Sequence, residues 1–413
     1  MNSTNTLNEI LNITPFPLVS WYGSAIRPIE QLRLLFKACN VTIRTVASYA
    51  SQDVNAYVYP NHVNALNSFL MPALFRMGFN PNRFIHDIIF INYLKKVFLL
   101  NRNINKLYIH LTFTERYVEI IKKIFNFRNM SNIIDVHGIS TYSIENSLLS
   151  KLFSNIVESV AYKNSVIVVS NASIKEYLKR SFGLNDSFII PDVIDVSHIE
   201  EIMKKSANSI EKIKVYLNIT PRDFIIGYAG SINFIQGSDI LIKTMKLLLK
   251  HYTNIKFLIV GSSFSKLQRL TKTLNISFLP SEKKRIMLLS NIPYFILPKY
   301  LSIANILITP KRYNFESNQK LLLYAAIGKP IICFNTYANR FLSREFNLTG
   351  VFLAKELSTE AFIAEIMNLI DKIYDTQSDE YNYGALNRNS IKLTSIKIIE
   401  NLKNLLINSP LDK

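Results

Sequence analysis

The chain has 413 residues, 48% of them hydrophobic and 19% charged, with 48 Lys and Arg against 30 Asp and Glu for a formal net charge of +18. That length provides for two or three domains of about 150 residues, and the composition excludes a disordered polyelectrolyte. Cys39 and Cys333 lie far apart and match no metal or redox spacing, which excludes a disulfide framework and fits a reduced, cytosolic setting.

The first sixteen residues, MNSTNTLNEILNITPF, lack the basic and then apolar order of a signal peptide. Short β-rich runs then alternate with helical spacing. Strands are expected at 41–48, 87–91, 106–110, 132–137 and 165–170. Helices are expected at 27–39, 115–125 and 144–163. Apolar strands of about five residues separated by helices indicate βα units on a buried parallel sheet. Residues 192–223 are polar and read as a linker with helical pieces. The alternation restarts with strands at 224–230, 256–261, 285–290, 305–310 and 330–334. Two such series imply an α/β protein of two doubly wound domains, with ligands expected beyond the carboxyl ends of the strands. The most apolar stretch, 87–100, is interrupted by lysines and falls short of a membrane span.

The lysines are scattered rather than gathered into an arm, and no clustered basic-aromatic motif speaks for nucleic acid. The charge fits an anionic membrane surface or phosphorylated substrates, or simply solvated faces that use Lys. Arg and Lys beside Leu and Phe in 27–39 and 92–103 suit such a surface, although a core helix with lysine edges reads the same way.

Only 11 glycines are present, fewer than half the number expected at about 7% usage. Gly227, Gly230, Gly237 and Gly261 fall within one βαβ unit, 225–261. There Gly230 ends a strand and Gly237-Ser238-Asp239 opens a helix, a turn that leaves free N–H groups suited to a phosphate, although generic turns use such glycines merely to change direction. The stretch GYAGSINFIQG lacks the dinucleotide G-x-G-x-x-G spacing. A second cluster, 291–334, holds a helix (294–303), a strand, a loop with Lys311, Arg312 and Glu316, and a helix (317–326) with Ser317-Asn318 at its start. It ends in the turn Gly328-Lys329-Pro330. A cationic loop and a helix N-terminus beyond a strand suit a second anion contact, although a solvated loop with three charges reads the same way.

Taken together these clusters resemble the GT-B glycosyltransferases, in particular the retaining group 1 (family 4-like) enzymes. The landmarks run in order: the Gly-x-x-Gly strand end, TNIKFLIVG, IPYFILPKYL and the helix ending in GKP. The first half adds YGSAIRPIEQLRLLFKACNVTIRTV with Gly23, DVHG (135–138), and IVVSNASIKEYLKRSFGL followed by IIPDVIDV.

The resemblance implies an acceptor-side domain over 1–195, a nucleotide-sugar domain over 196–388, and a final helix (389–407) packing back on the first. It implies transfer of a sugar from a nucleotide-diphosphate sugar to a glycan, lipid-linked or small-molecule acceptor, in the cytoplasm or at the membrane periphery. No cofactor and no metal are expected, since cations and helix N-termini neutralise the leaving diphosphate. The family's Arg and Lys fall at Ser231 and Gln236, and its glutamate pair falls at Phe315, beside Glu316, and at Leu323. Lys311, Arg312 or Lys320 is expected to restore the charge. His137 corresponds to the histidine that faces the donor sugar, and His137 with Glu316 are the expected catalytic groups. Gly23, Gly230, Ser231, Gln236, Gly237, Lys311, Arg312, Ser317, Asn318 and Lys320 are expected to meet the donor. The other histidines form no ligand cluster, and Asp135 and Asp195 read as caps or turn residues. The replaced residues equally suit a catalytically degenerate scaffold or partner subunit.

Overall fold

The computed structural model describes residues 9–14, 23–38, 43–47, 63–65, 104–111, 131–139, 162, 165–376 and 383–408. These belong to two compact units: one of Met1–Asp192 with Ile396–Lys413, the other of Val193–Ser395.

Among the described residues, unit 1 holds seven parallel strands: β1 (Glu9–Thr14), β2 (Ile43–Ala47), β3 (Val63–Ala65), β4 (Ile104–Leu111), β5 (Ser131–Val136), β6 (Val166–Val169) and β7 (Ser187–Ile189). Their order is β3-β2-β1-β4-β5-β6-β7. The order reverses between β1 and β4, the point at which doubly wound sheets take ligands. Leu107, Ile109, Ile133, Ile134, Val168 and Val169 are fully or almost fully buried in strands, as parallel sheets require. Ile29, Leu32 and Leu35 of helix Gly23–Ala38 are also buried. On that helix Arg27 is 5% exposed, and Glu30 and Gln31 are buried too. It is a core helix, not the exposed basic face that its sequence allowed. The expected strand 87–91, the helices 115–125 and 144–163 (apart from Tyr162), and the basic stretch 92–103 lie outside the described residues.

Unit 2 holds six parallel strands: β8 (Phe224–Ala229), β9 (Ile255–Val260), β10 (Ile286–Leu289), β11 (Ile306–Thr309), β12 (Ile331–Phe334) and β13 (Val351–Ala354). Their order, β10-β9-β8-β11-β12-β13, reverses between β8 and β11. Ile226, Tyr228, Phe257, Ile259, Ile308 and Phe334 pack in the core against Leu241, Met245 and Leu248 of helix Ser238–His251 and Phe362 and Ile366 of helix Thr359–Thr376. The stretch read as a linker supplies two helices of this unit, Val196–Lys205 and Ala207–Tyr216.

Asparagine does much of glycine's usual work. Asn218, Asn275 and Asn347 take positive φ (51, 53 and 46°) just past the helices ending at Tyr216, Thr273 and Glu345. Asparagine tolerates this left-handed conformation better than other side chains do.

Candidate functional site

The loops that follow β8 and β11 meet at the switch point of unit 2. After β8, Gly230 (φ +140°) bonds back to the Val260 carbonyl at 2.8 Å. Asn233 caps a short 3-10 turn, Phe234–Gln236, by accepting from the Gln236 N–H at 2.9 Å, and its side-chain amide donates to the Ser231 hydroxyl at 2.9 Å. Gly237 (φ +73°) then opens helix Ser238–His251. A Cβ on Gly237 would lie 1.9 Å from the Pro310 carbonyl oxygen, so only glycine lets the two loops touch.

From the β11 side, Lys311 is 3% exposed, donates to the Ser317 carbonyl at 2.8 Å and pairs with Glu316 at 2.7 Å. Arg312 pairs with Asp239 at 2.8 Å. Lys320, in the first turn of helix Gln319–Ile327, donates to the Gln236 side-chain oxygen at 2.7 Å and sits 4.7 Å from the Tyr228 ring centre. It has no ion pair among the described residues. Its side chain is half-buried by area, yet the ammonium is enclosed by protein, and the enclosure governs its charge. Burial and the neighbouring Lys311 lower its pKa to about 7, against the pull of Glu316.

Asn318 takes the expected N-cap position of this helix, but without a side-chain capping bond. Its side chain is buried among Thr309 and Asn339. The Ser317 hydroxyl is buried without a hydrogen-bond partner. The first N–H groups of this helix therefore remain free of side-chain acceptors, with a positive dipole end. A 2.7 Å bond from the Ala229 N–H to the Tyr324 hydroxyl pins the same helix to the end of β8. Leu323, in the place of the family's second glutamate, is 2% exposed.

Unit 1 holds a second polar cluster. Arg27 pairs with Asp135 at 3.0 Å and with Asp192 at 2.8 Å. Burial works against its charge, but the two carboxylates more than offset this and raise its pKa. The Tyr108 hydroxyl donates to Asp135 Oδ2 at 2.8 Å. His110 Nδ1 lies 3.0 Å from His137 Nε2, and these atoms are 3.3 and 3.4 Å from Asp135 Oδ2. Burial drives the His110 pKa down to about 4 despite Asp135. Burial also opposes the charge of Asp135, yet Arg27 and the histidines hold it well below the carboxylate range.

Asp135 is thus a buried counter-ion, not a cap, whereas Asp195 does take the N-cap position of helix Val196–Lys205, though without a side-chain capping bond. His110, Asp135 and His137 offer three atoms within 4.8 Å of one another, the one such group among the described residues, where the histidine spacing pointed to none. Asp135 Oδ2 already takes Tyr108 and the Arg27 Nε, at 3.1 Å. The trio fits a hydrogen-bonded relay better than a metal site.

Residues 209–384, most of unit 2, match the family model described as glycosyl transferases group 1. No curated protein sequence matches the chain. Among solved structures, sucrose-phosphate synthase from Thermosynechococcus elongatus aligns with a TM-score of 0.70 at 14% identity over 96% of this chain and 98% of that one. A glycosyltransferase from Rickettsia africae aligns with a TM-score of 0.67 at 14% identity, covering 98% and 99%. Anabaena HepE, solved in complex with UDP, aligns with a TM-score of 0.65 at 14% identity, covering 96% and 100%. The chain has the GT-B fold, and its second unit belongs to glycosyl transferases group 1.

Within this group 1 unit, Gly230, Ser231, Gln236, Gly237, Lys311, Arg312, Glu316, Ser317 and Lys320 gather around the β8 and β11 loops, while the Asn318 side chain turns into the core. Gly23 opens the first helix of unit 1, and His137 lies in the relay just past β5. The relay partners Tyr108, His110 and Asp135 were missed. Their signal was the alternation Tyr-x-His at the end of β4, which places both side chains on one sheet face, with Asp135 of β5 in register with His110 and two residues before His137.

Proposed function

We propose that this protein transfers a sugar from a nucleotide-diphosphate sugar, with retention at the anomeric carbon and without a metal, to a glycan, lipid-linked or small-molecule acceptor. The observation that carries this reading is the group at the β8/β11 switch point: Lys320 without a carboxylate partner, beside an uncapped helix N-terminus and the Gly230 and Gly237 turns. A diphosphate leaving group needs that kind of positive, pre-oriented surface as its bond to the sugar stretches. Lys320 stands in for the family cations replaced by Ser231 and Gln236, and Gln236 holds it in place. Lys311 and Arg312 add charge once a diphosphate competes with Glu316 and Asp239. HepE has been solved with UDP-glucose, which makes UDP-sugars the first donors to try. In this reading His137 meets the donor sugar, Glu316 acts beside it, and unit 1 takes the acceptor.

The second reading, a scaffold without chemistry, is favoured by the Lys311–Glu316 pair and by Leu323 in place of a carboxylate. Incubation with UDP- and GDP-sugars, followed by NMR of the released sugar and nucleotide, separates the two. Slow donor hydrolysis with retained anomeric configuration, abolished in Lys311→Ala/Arg312→Ala/Lys320→Ala, supports transfer. No nucleotide release with any donor supports the scaffold, and inverted product overturns the retaining assignment.

A further inference from the structure

A different face of unit 2 carries a feature that sugar transfer does not use. Between Gly261 and Asn291 the sequence holds six cations and one acid, Glu282. Glu282 is 3% exposed and is tied to Lys246 at 2.8 Å and to the Leu279 N–H at 2.7 Å. It therefore presents no negative charge to solvent. Arg285 is spent on the carbonyls of Leu249 and Tyr252. The remaining five, Lys266, Arg269, Lys272, Lys283 and Lys284, are all exposed and form no ion pair among the described residues.

Three of them line one surface pocket of about 570 Å³ beside the edge strand β10. Helix Phe264–Thr273 forms one wall, with Arg269 and Lys272, and Lys283 stands on another side. The lining also includes apolar Leu267, Phe278 and Ile286. At the margins two large apolar side chains face solvent, Phe264 (51% exposed) and Leu279 (59%). A cationic rim over apolar lining, flanked by exposed apolar side chains, does not suit a free polyanion, which would leave the apolar surface wet. It suits an interface where anionic headgroups meet the cations and Phe264 and Leu279 enter the acyl boundary.

We propose that this face, Phe264–Lys284 around the β10 edge, docks unit 2 on an anionic phospholipid bilayer, with a lipid phosphate seated among Arg269, Lys272 and Lys283. The inference is independent of the sugar-transfer reading, since none of its residues belongs to the switch-point site.

The test is co-sedimentation of the full chain with phosphatidylcholine vesicles, with and without phosphatidylglycerol. The wild type binds the phosphatidylglycerol vesicles and not the neutral ones, less tightly at high salt. Arg269→Glu/Lys272→Glu/Lys283→Glu lowers the affinity by about a hundredfold, from roughly fivefold per cation at a membrane surface. A control with the same change in net charge on other exposed sites, Arg344→Glu/Lys355→Glu/Lys392→Glu, lowers it several-fold less. Phe264→Ser/Leu279→Ser keeps every cation and lowers the affinity by about tenfold. The proposal is overturned if the wild type ignores anionic vesicles, or if the two charge-reversed variants behave alike. It is overturned too if Phe264→Ser/Leu279→Ser binds as the wild type does, which marks a plain polyanion surface. Far-UV circular dichroism and urea melts of the same variants, unchanged from the wild type, show that each remains folded.

Discussion

At the scale of single residues, Lys320 ties charge to function. With a pKa lowered to about 7 by burial and by Lys311, it is only about half protonated in the free protein at neutral pH. A bound diphosphate favours the charged form, so above about pH 7 binding must draw a proton from solvent, and affinity falls by up to tenfold per pH unit. Calorimetric titration of a nucleoside diphosphate near pH 8, in buffers of different ionisation enthalpy, is expected to show net proton uptake. Lys320→Met abolishes that uptake; uptake that persists in the variant assigns the proton elsewhere.

His110 makes the opposite kind of statement, about stability. Its pKa is depressed from 6.5 to about 4, so between those values the unfolded chain binds a proton that the folded chain refuses. Stability is therefore present above about pH 6.5 and lost as pH falls toward 4, by about 3 kcal/mol at most. Asp135, also held low, adds a loss of the same sign at still lower pH. Urea denaturation at pH values from about 7 to 4 is expected to show this slope, and His110→Gln to flatten it. A wild-type midpoint that does not move with pH contradicts the buried relay.

At the scale of elements, the two loops of unit 2 depend on Gly237. Gly237→Ala forces a Cβ onto the Pro310 carbonyl at a left-handed φ, and denaturant melts are expected to show a loss of about 3 kcal/mol. The same change at Gly230 meets chiefly the movable end of Lys320, at 3.0 Å, and the Tyr228 hydroxyl, at 3.1 Å. It should cost less stability and more nucleotide affinity.

The elements themselves were largely legible. Buried strands such as FIIGYA and KFLIV announce themselves as apolar runs because a parallel sheet is covered on both faces. The strands that escaped, β1, β3, β7 and β13, are short or carry polar residues: EILNIT and SFI give no clean signal. Turns were partly hidden because asparagine takes left-handed positions where glycine is the usual sign. The helix at Gln319–Ile327 was placed within two residues and its N-cap position at Asn318, but the missing capping bond was not legible, because the Asn318 side chain turns to Thr309 and Asn339 across the core.

At the scale of the whole molecule, the order of motifs along the chain pointed to two doubly wound units, and each sheet has that strand order. What sequence could not rank was the three candidate cations. Lys311, Arg312 and Lys320 look alike in a string; only the fold assigns carboxylates to two of them and leaves the third beside Gln236 and an aromatic ring. The buried relay was equally hidden, since Arg27, Tyr108, Asp135 and Asp192 come from four separate places in the chain. No described helix is long and apolar enough to cross a membrane, so the anionic-lipid face bears on docking rather than spanning.

On the proposed function, unit 2 grips a nucleoside diphosphate through Lys320 and its neighbouring helix N-terminus. Calorimetric titration of the wild type and of Lys320→Met with UDP and GDP at neutral pH tests it directly. Saturable binding of one nucleotide is expected, weakened at least about tenfold in the variant as a charge-assisted contact is lost. Absence of binding for both nucleotides, or equal affinity of wild type and variant, contradicts it.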